Sequence, residues 1–170
     1  MNIKTKITVE ALPFHAPVKA HETDAAFDLF TAECVEVKPN SRVYISLGFK
    51  ISLPSNIGLV IQPRSGQSGK GMIAYAIAPK WFGGDIIKVR IDADSLVGLV
   101  DCGYGKDVKA IVKFGRMKWK HRLLKLLGFK FEIGNNSCIC QGRFVNIPNV
   151  ELVSGKVYGD RDGLGSTDKD

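Results

Sequence analysis

Residues 86–112 read Ile86-Ile-Lys-Val-Arg-Ile-Asp-Ala-Asp-Ser95-Leu-Val-Gly98-Leu-Val-Asp101-Cys-Gly-Tyr104-Gly-Lys-Asp-Val108-Lys-Ala-Ile-Val112. Two β-rich runs, 86–91 and 108–112, bracket a pair of apolar dipeptides around Gly98. Runs this short, rich in Val and Ile and bounded by Gly and Asp, predict strands and not helices. The two dipeptides predict a tight hairpin turning at Gly98. Asp101 ends the apolar run, and Tyr104 follows three residues later. An Asp at the mouth of an apolar hairpin can orient or deprotonate a water, or it can simply cap a turn.

The same signal recurs on both sides. Ile3 to Val9 alternates, as do Val35–Val37 and Val43–Leu47, and Leu59-Val-Ile-Gln is a further short apolar run. Pro39-Asn-Ser, Pro54-Ser-Asn, Gly83-Gly-Asp and Gly134-Asn-Asn punctuate them. Many short strands at this spacing predict one all-β domain of the sandwich or barrel kind. At 170 residues the chain is a usual size for one domain with a real core.

One segment departs from the pattern. Residues 118–127 place Trp119, Leu123, Leu126 and Leu127 at helical spacing, with Lys118, Arg122 and Lys125 largely off that stripe. Gly128 can end such a helix. The segment reads as a short surface helix laying its leucines on the sheet, or as a contact for a membrane, nucleic acid or protein.

Composition narrows the class. The net charge is +7, much of it between Arg116 and Lys130, which favours anionic partners without choosing among them. No apolar run approaches the length of a membrane span, and the N-terminus carries no secretory pattern. Cys34, Cys102, Cys138 and Cys140 lack zinc spacing and read as reduced thiols, which suits a cytoplasmic protein.

Three further segments carry polar groups suited to chemistry. Asp28 lies between Phe27 and Leu29, so in a strand it faces opposite to both. Pro63-Arg-Ser-Gly-Gln-Ser-Gly-Lys-Gly follows an apolar strand and reads as a glycine-rich turn that can hold an anion; it lacks Walker spacing. Arg161-Asp-Gly-Leu-Gly-Ser-Thr has few apolar side chains and suits a tail that folds over a polyphosphate.

Taken in order, Ala25-Ala-Phe-Asp-Leu, Pro63-Arg-Ser-Gly, Gly98-Leu-Val-Asp-Cys-Gly-Tyr, Cys138-Ile-Cys-Gln and Arg161-Asp-Gly-Leu-Gly-Ser-Thr resemble the five motifs of the trimeric dUTPase family, phage and prophage members above all. The resemblance runs from about Thr5 to Thr167, with insertions at 73–92 and 115–130. It implies a distorted jelly-roll barrel over 1–158, with one or two short helices in the insertions, and an arm at 159–170. It implies a homotrimer with active sites between subunits, and hydrolysis of dUTP to dUMP and pyrophosphate with Mg²⁺ held mainly by phosphates and water. That activity limits uracil incorporation into DNA and supplies dUMP for dTMP synthesis. If the protein is phage-encoded, the compartment is the host cytoplasm.

Carried over by position, Asp101 activates the attacking water and Tyr104 packs on the deoxyribose. Ser95, Gly98, Leu99 and Val100 hold the base. Arg64, Ser65, Gly66 and Gln141 hold phosphates, with Asp28 supporting that network. Arg161, Gly165, Ser166 and Thr167 grip the γ-phosphate, and Leu164 covers the ring. Departures from the family pattern include Ala26 for Gly, Ser95 where Asn is common, Gly105-Lys106 after the tyrosine, Cys138 for Arg, Leu164 for Phe and Asp168 for Gly. Leu164 can cover uracil but lacks an aromatic contribution of roughly 0.5–1.5 kcal/mol.

Other readings stay in view. dCTP deaminases resemble dUTPases in fold but carry a second Arg after the serines and a Glu that falls near Ile111, and this chain has neither. A catalytically weak regulatory or nucleotide-binding protein on the same fold is the alternative of another class. A nucleic-acid-binding barrel fits the charge, but the aromatics form no stacking platform.

Overall fold

The structure is a computed structural model that describes residues 5–154. In chain order its elements are β1 (Thr8–Ala11), β2 (Phe27–Phe30), β3 (Val35–Glu36), β4 (Arg42–Ser46), β5 (Phe49–Ser52), β6 (Ile57–Gln62), α1 (Ser65–Lys70), β7 (Met72–Ile77), β8 (Ile86–Ile91), β9 (Ala93–Ser95), β10 (Gly98–Val100), β11 (Lys109–Phe114), α2 (Trp119–Leu126), β12 (Lys130–Ile133) and β13 (Cys138–Asn146). All pairings are antiparallel. They build four small sheets, ordered β1-β5, β10-β6-β13-β2, β4-β11-β9 and β3-β12-β7-β8. Among the described residues the fold is all-β apart from two short helices and a 3₁₀ turn at Lys80–Phe82.

Alternation decides the core. In β6 and β11 every second residue is buried or nearly so, and Leu59, Ile61, Ala110 and Val112 point inward. They meet Ile45, Leu47, Phe49, Leu29 and Ile139 in one cluster. Each large aliphatic side chain taken out of water contributes roughly 1.5–3 kcal/mol, so these positions outweigh any surface pair. None of the described helices is long and apolar enough to cross a membrane.

The two stretches expected to be insertions pack together. Residues 73–92 are the hairpin β7–β8, from Met72↔Ile91 to Ile77↔Ile86, and its buried Ala74 and Ala76 let the sheet pack closely. β12 leaves the second insertion and pairs on β7 at Lys130↔Ile77 through Glu132↔Tyr75. Phe82 meets Phe129 edge-on at 5.6 Å, tying the hairpin tip to the end of α2.

Several expectations are corrected. Among the described residues the first strand is Thr8–Ala11, so Thr5–Ile7 do not join it as the alternation suggests, and Ile3 lies outside the described residues; all four strand residues are exposed, so burial does not set its register. Ser95 and Val100 do not close a hairpin at Gly98. β9 joins β11 at Val112↔Ser95, whereas β10 joins β6 at Gly98↔Ile61, and Leu96-Val97 carries the chain between sheets. Each short strand finds a longer neighbour to pair with. The glycine-rich turn after Arg64 is helix α1, which lies outside both insertions; among its glycines and the one that follows, only Gly71 takes a positive φ, 84°. Gln67 is buried and donates to the Cys138 carbonyl at 2.5 Å, fastening α1 to β13.

The leucine stripe of α2 does not lie on the sheet either. Trp119, Leu123, Leu126 and Leu127 are exposed, and Leu124 instead touches the core. Gly128, at φ 86°, ends the helix, with the Phe129 amide donating to the Leu124 carbonyl at 3.0 Å.

Candidate active site

Three strands of one sheet bring Asp28, Gln141 and Gln62 side by side. In β2, β13 and β6 the registers are Gln141↔Asp28 and Gln141↔Gln62. Leu29 and Cys140 turn into the core, so their neighbours turn outward. Just beyond β6, Arg64 donates to Asp28 Oδ2 at 3.2 Å. Gln141 Nε2 donates to the Pro63 carbonyl at 3.1 Å, holding the start of that turn against β13.

These residues edge a cleft of about 580 Å³ whose walls include Arg64, Ser65, Gly66, Gln141, Asn136 and Cys138. Lys70, Lys88 and Arg90 complete a strongly cationic lining. Cys138 brings no charge: burial pushes its thiol up to about 11, and the nearby Arg64 cation only partly opposes this. Burial pushes the Cys140 thiol higher still.

A second cleft, of about 540 Å³, runs along β10 and β11. Gly98, Leu99, Val100 and Tyr104 line it with Tyr44 and Ile111. Among the described residues β10 is an edge strand, paired only with β6, so its other backbone edge has no strand partner there and can meet a ligand. Residues 101–107 form the turn into β11. Gly103 has φ 84°, the Tyr104 amide donates to the Asp101 carbonyl at 3.3 Å, and Tyr104 Oη donates to the Asp107 carbonyl at 3.2 Å. Asp101 is exposed at the mouth of this turn.

The sequence-derived residues therefore divide. Arg64, Ser65, Gly66 and Gln141 meet in the cationic cleft with Asp28 behind them; Gly98, Leu99, Val100 and Tyr104 meet in the apolar one. The two clefts share no lining residue. Ser95 joins neither: it is 1% exposed, and its Oγ has no hydrogen-bond partner among the described residues. Arg161, Leu164, Gly165, Ser166 and Thr167 lie outside the described residues. Sequence reasoning missed Lys70, Tyr75, Lys88 and Arg90. The alternation Ile87-Lys-Val-Arg-Ile was the available signal, since it sets both cations on one face.

Comparison with known proteins finds similarity to dUTPases. A dUTPase family model matches residues 13–95. A deoxyuridine 5'-triphosphate nucleotidohydrolase of Streptomyces avermitilis is 31% identical over 96 residues, 56% of this chain and 45% of that protein. One from Clostridium kluyveri is 48% identical over 62 residues, 36% of this chain and 41% of its own length. The matched stretches thus span less than half of these relatives. Among solved structures, the dUTPase of Staphylococcus bacteriophage 80alpha with dUpNHpp superposes with TM-score 0.71 at 20% identity, covering 96% of this chain and 99% of that one. The phage phi11 dUTPase of S. aureus, described with a structural Mg(II) ion, gives TM-score 0.68 at 19% identity over 92% of this chain and 100% of the other. The sequence match runs from before β2 to Ser95, and the described chain shares the fold of dUTPases, so this chain is similar to the dUTPase family in sequence over that stretch and in fold beyond it.

Proposed function

We propose that the chain hydrolyses dUTP to dUMP and pyrophosphate, in sites completed by other copies of itself in a homotrimer. The observation that carries this is the division into two clefts, one apolar with a free strand edge and one cationic. Uracil presents alternating acceptors and a donor, which suit the free backbone edge of β10 at Gly98, Leu99 and Val100. The triphosphate suits the cleft at Arg64, Ser65, Gly66 and Gln141. Because the clefts share no wall, a nucleotide spanning both chemistries calls for one cleft from each of two copies.

Tyr104 beside β10 packs on the deoxyribose and leaves no room for a 2′-hydroxyl. Asp101 accepts a proton from a water whose oxygen attacks the α-phosphorus. The bond from that phosphorus to the bridging oxygen breaks, and the electron pair leaves with pyrophosphate. Arg64, steered by Asp28, and Ser65 hold the phosphates in line. Arg161, Gly165, Ser166 and Thr167, which lie outside the described residues, carry the groups suited to the γ-phosphate, and Leu164 an apolar group suited to the base. Among the described residues no three His, Cys, Asp or Glu side chains gather at one point. Mg²⁺ would be held mainly by phosphate oxygens and water beside Arg64 and Ser65, where it would neutralise charge.

The test is incubation with each deoxynucleoside triphosphate and Mg²⁺, followed by separation of the nucleotides. The expected result is dUMP from dUTP alone. No turnover of any of them removes the enzymatic reading.

A further inference from the structure

We propose that Lys88 and Arg90, on insertion strand β8, are binding groups for the nucleotide's phosphate chain. The proposal rests on the dUTP reading above and adds residues that lie outside the five sequence motifs.

The placement follows from strand geometry. Val89 and Ile91 pair inward opposite Ala74 and Met72, so Lys88 and Arg90 share the outer face with Tyr75 and Ile73. That face is a wall of the same cleft that holds Arg64, Ser65 and Gln141. Arg90 donates to the Gly71 carbonyl at 2.9 Å, at the end of α1. This bond fixes the guanidinium beside the helix that begins at Ser65, and leaves further N–H donors of the fork for a ligand.

Charge argues for a polyanionic occupant. The cleft is lined by Arg64, Lys70, Lys88 and Arg90, and its lining includes no Asp or Glu. Asp28 pairs with Arg64, whereas among the described residues Lys70, Lys88 and Arg90 have no carboxylate at ion-pair distance. Like charges converging on a concave surface repel one another, and a polyphosphate relieves that repulsion. Each added phosphate brings more charge to the same wall, so Lys88 and Arg90 should discriminate by phosphate number.

The experiment uses the full chain with Lys88→Ala, Arg90→Ala, the double variant, and Lys120→Ala on α2 as a control for lost surface charge. Binding of inorganic tripolyphosphate and of dUMP is measured by calorimetry, and KM and kcat for dUTP by product formation. Each single variant should weaken tripolyphosphate binding and raise KM about three- to tenfold, with kcat and dUMP affinity little changed. Lys88→Arg and Arg90→Lys should restore part of the loss, which a merely structural role would not show. If wild type hydrolyses dUTP and the variants match Lys120→Ala, the proposal falls and the dUTP reading stands. If wild type binds tripolyphosphate through Lys88 and Arg90 without hydrolysing dUTP, the reading of the activity falls and the phosphate site stands. If wild type binds no tripolyphosphate, the proposal falls.

Discussion

Arg64 donates to Asp28 at 3.2 Å, joining a residue just beyond β6 to one in β2 across the intervening β13. Both side chains are partly exposed, so the pair contributes little to stability. Its effect is directional: one edge of the guanidinium is held, and the rest of the fork faces the cleft with Ser65 and Gly66. Arg64→Lys keeps the charge but loses the planar fork. We expect kcat/KM for dUTP to fall about ten- to a hundredfold, as for one or two lost charge-assisted hydrogen bonds. The thermal midpoint should stay close to that of wild type. Steady-state kinetics with a melting curve checks both, and unchanged turnover would remove Arg64 from the phosphate site.

On the proposed reading, a change at Asp101 should separate binding from chemistry. Asp101 stands at the turn after β10, next to the cleft and outside its lining, where a carboxylate can reach a water without crowding a base. Asp101→Asn should bind dUTP about as tightly as wild type and lose about 10²–10⁴ in kcat, the usual contribution of a positioned base. Retained turnover would take that role from Asp101.

The local features of this chain were legible because they are written in period and turn chemistry. Leu29 and Cys140 face the core because their strands alternate, and that places Asp28 and Gln141 outward. The stretch after Arg64 reads as a turn because Gly66 and Gly69 look like turn residues; in the fold it is helix α1, fastened by Gln67 to Cys138 far along the chain. The turn at Gly98 was misread for a similar reason, since its flanking strands take partners in β6 and β11. Lys88 and Arg90 looked like the solvent face of an ordinary strand. Only the pairing of the β7–β8 hairpin beside α1 and β12 brings them to the cleft, and such long-range register has no local signature.

Two glycines near the site should respond oppositely to the same substitution. Gly71 has φ 84°, and a Cβ there would sit 2.5 Å from the Ile91 carbonyl oxygen. Gly71→Ala should cost about 1–3 kcal/mol. Gly69 lies within α1, and a Cβ there meets nothing within 4 Å. Gly69→Ala should stabilise by up to about 1 kcal/mol, since alanine favours helix. Urea unfolding of both variants decides the matter: similar effects at the two positions would contradict this backbone geometry.

Cys138 gives a pH dependence whose sign can be worked out. Its ordinary value is 9.0, and burial in the folded chain raises it to about 11. Below pH 9 both states keep the proton, so the thiol adds no slope. Between about 9 and 11 the unfolded chain releases the proton while the folded chain retains it. The unfolded state then binds fewer protons, and stability falls as pH rises. Above about 11 both states are ionised and the slope from this group ends. Cys138→Ala removes the group, so the stability of wild type relative to the variant should decline across that window. Lysine and tyrosine titrations are common to both proteins and cancel in the difference. Urea unfolding of the pair at several pH values from 8 to 11 makes the measurement, and a constant difference would show that burial does not raise this thiol in the folded chain.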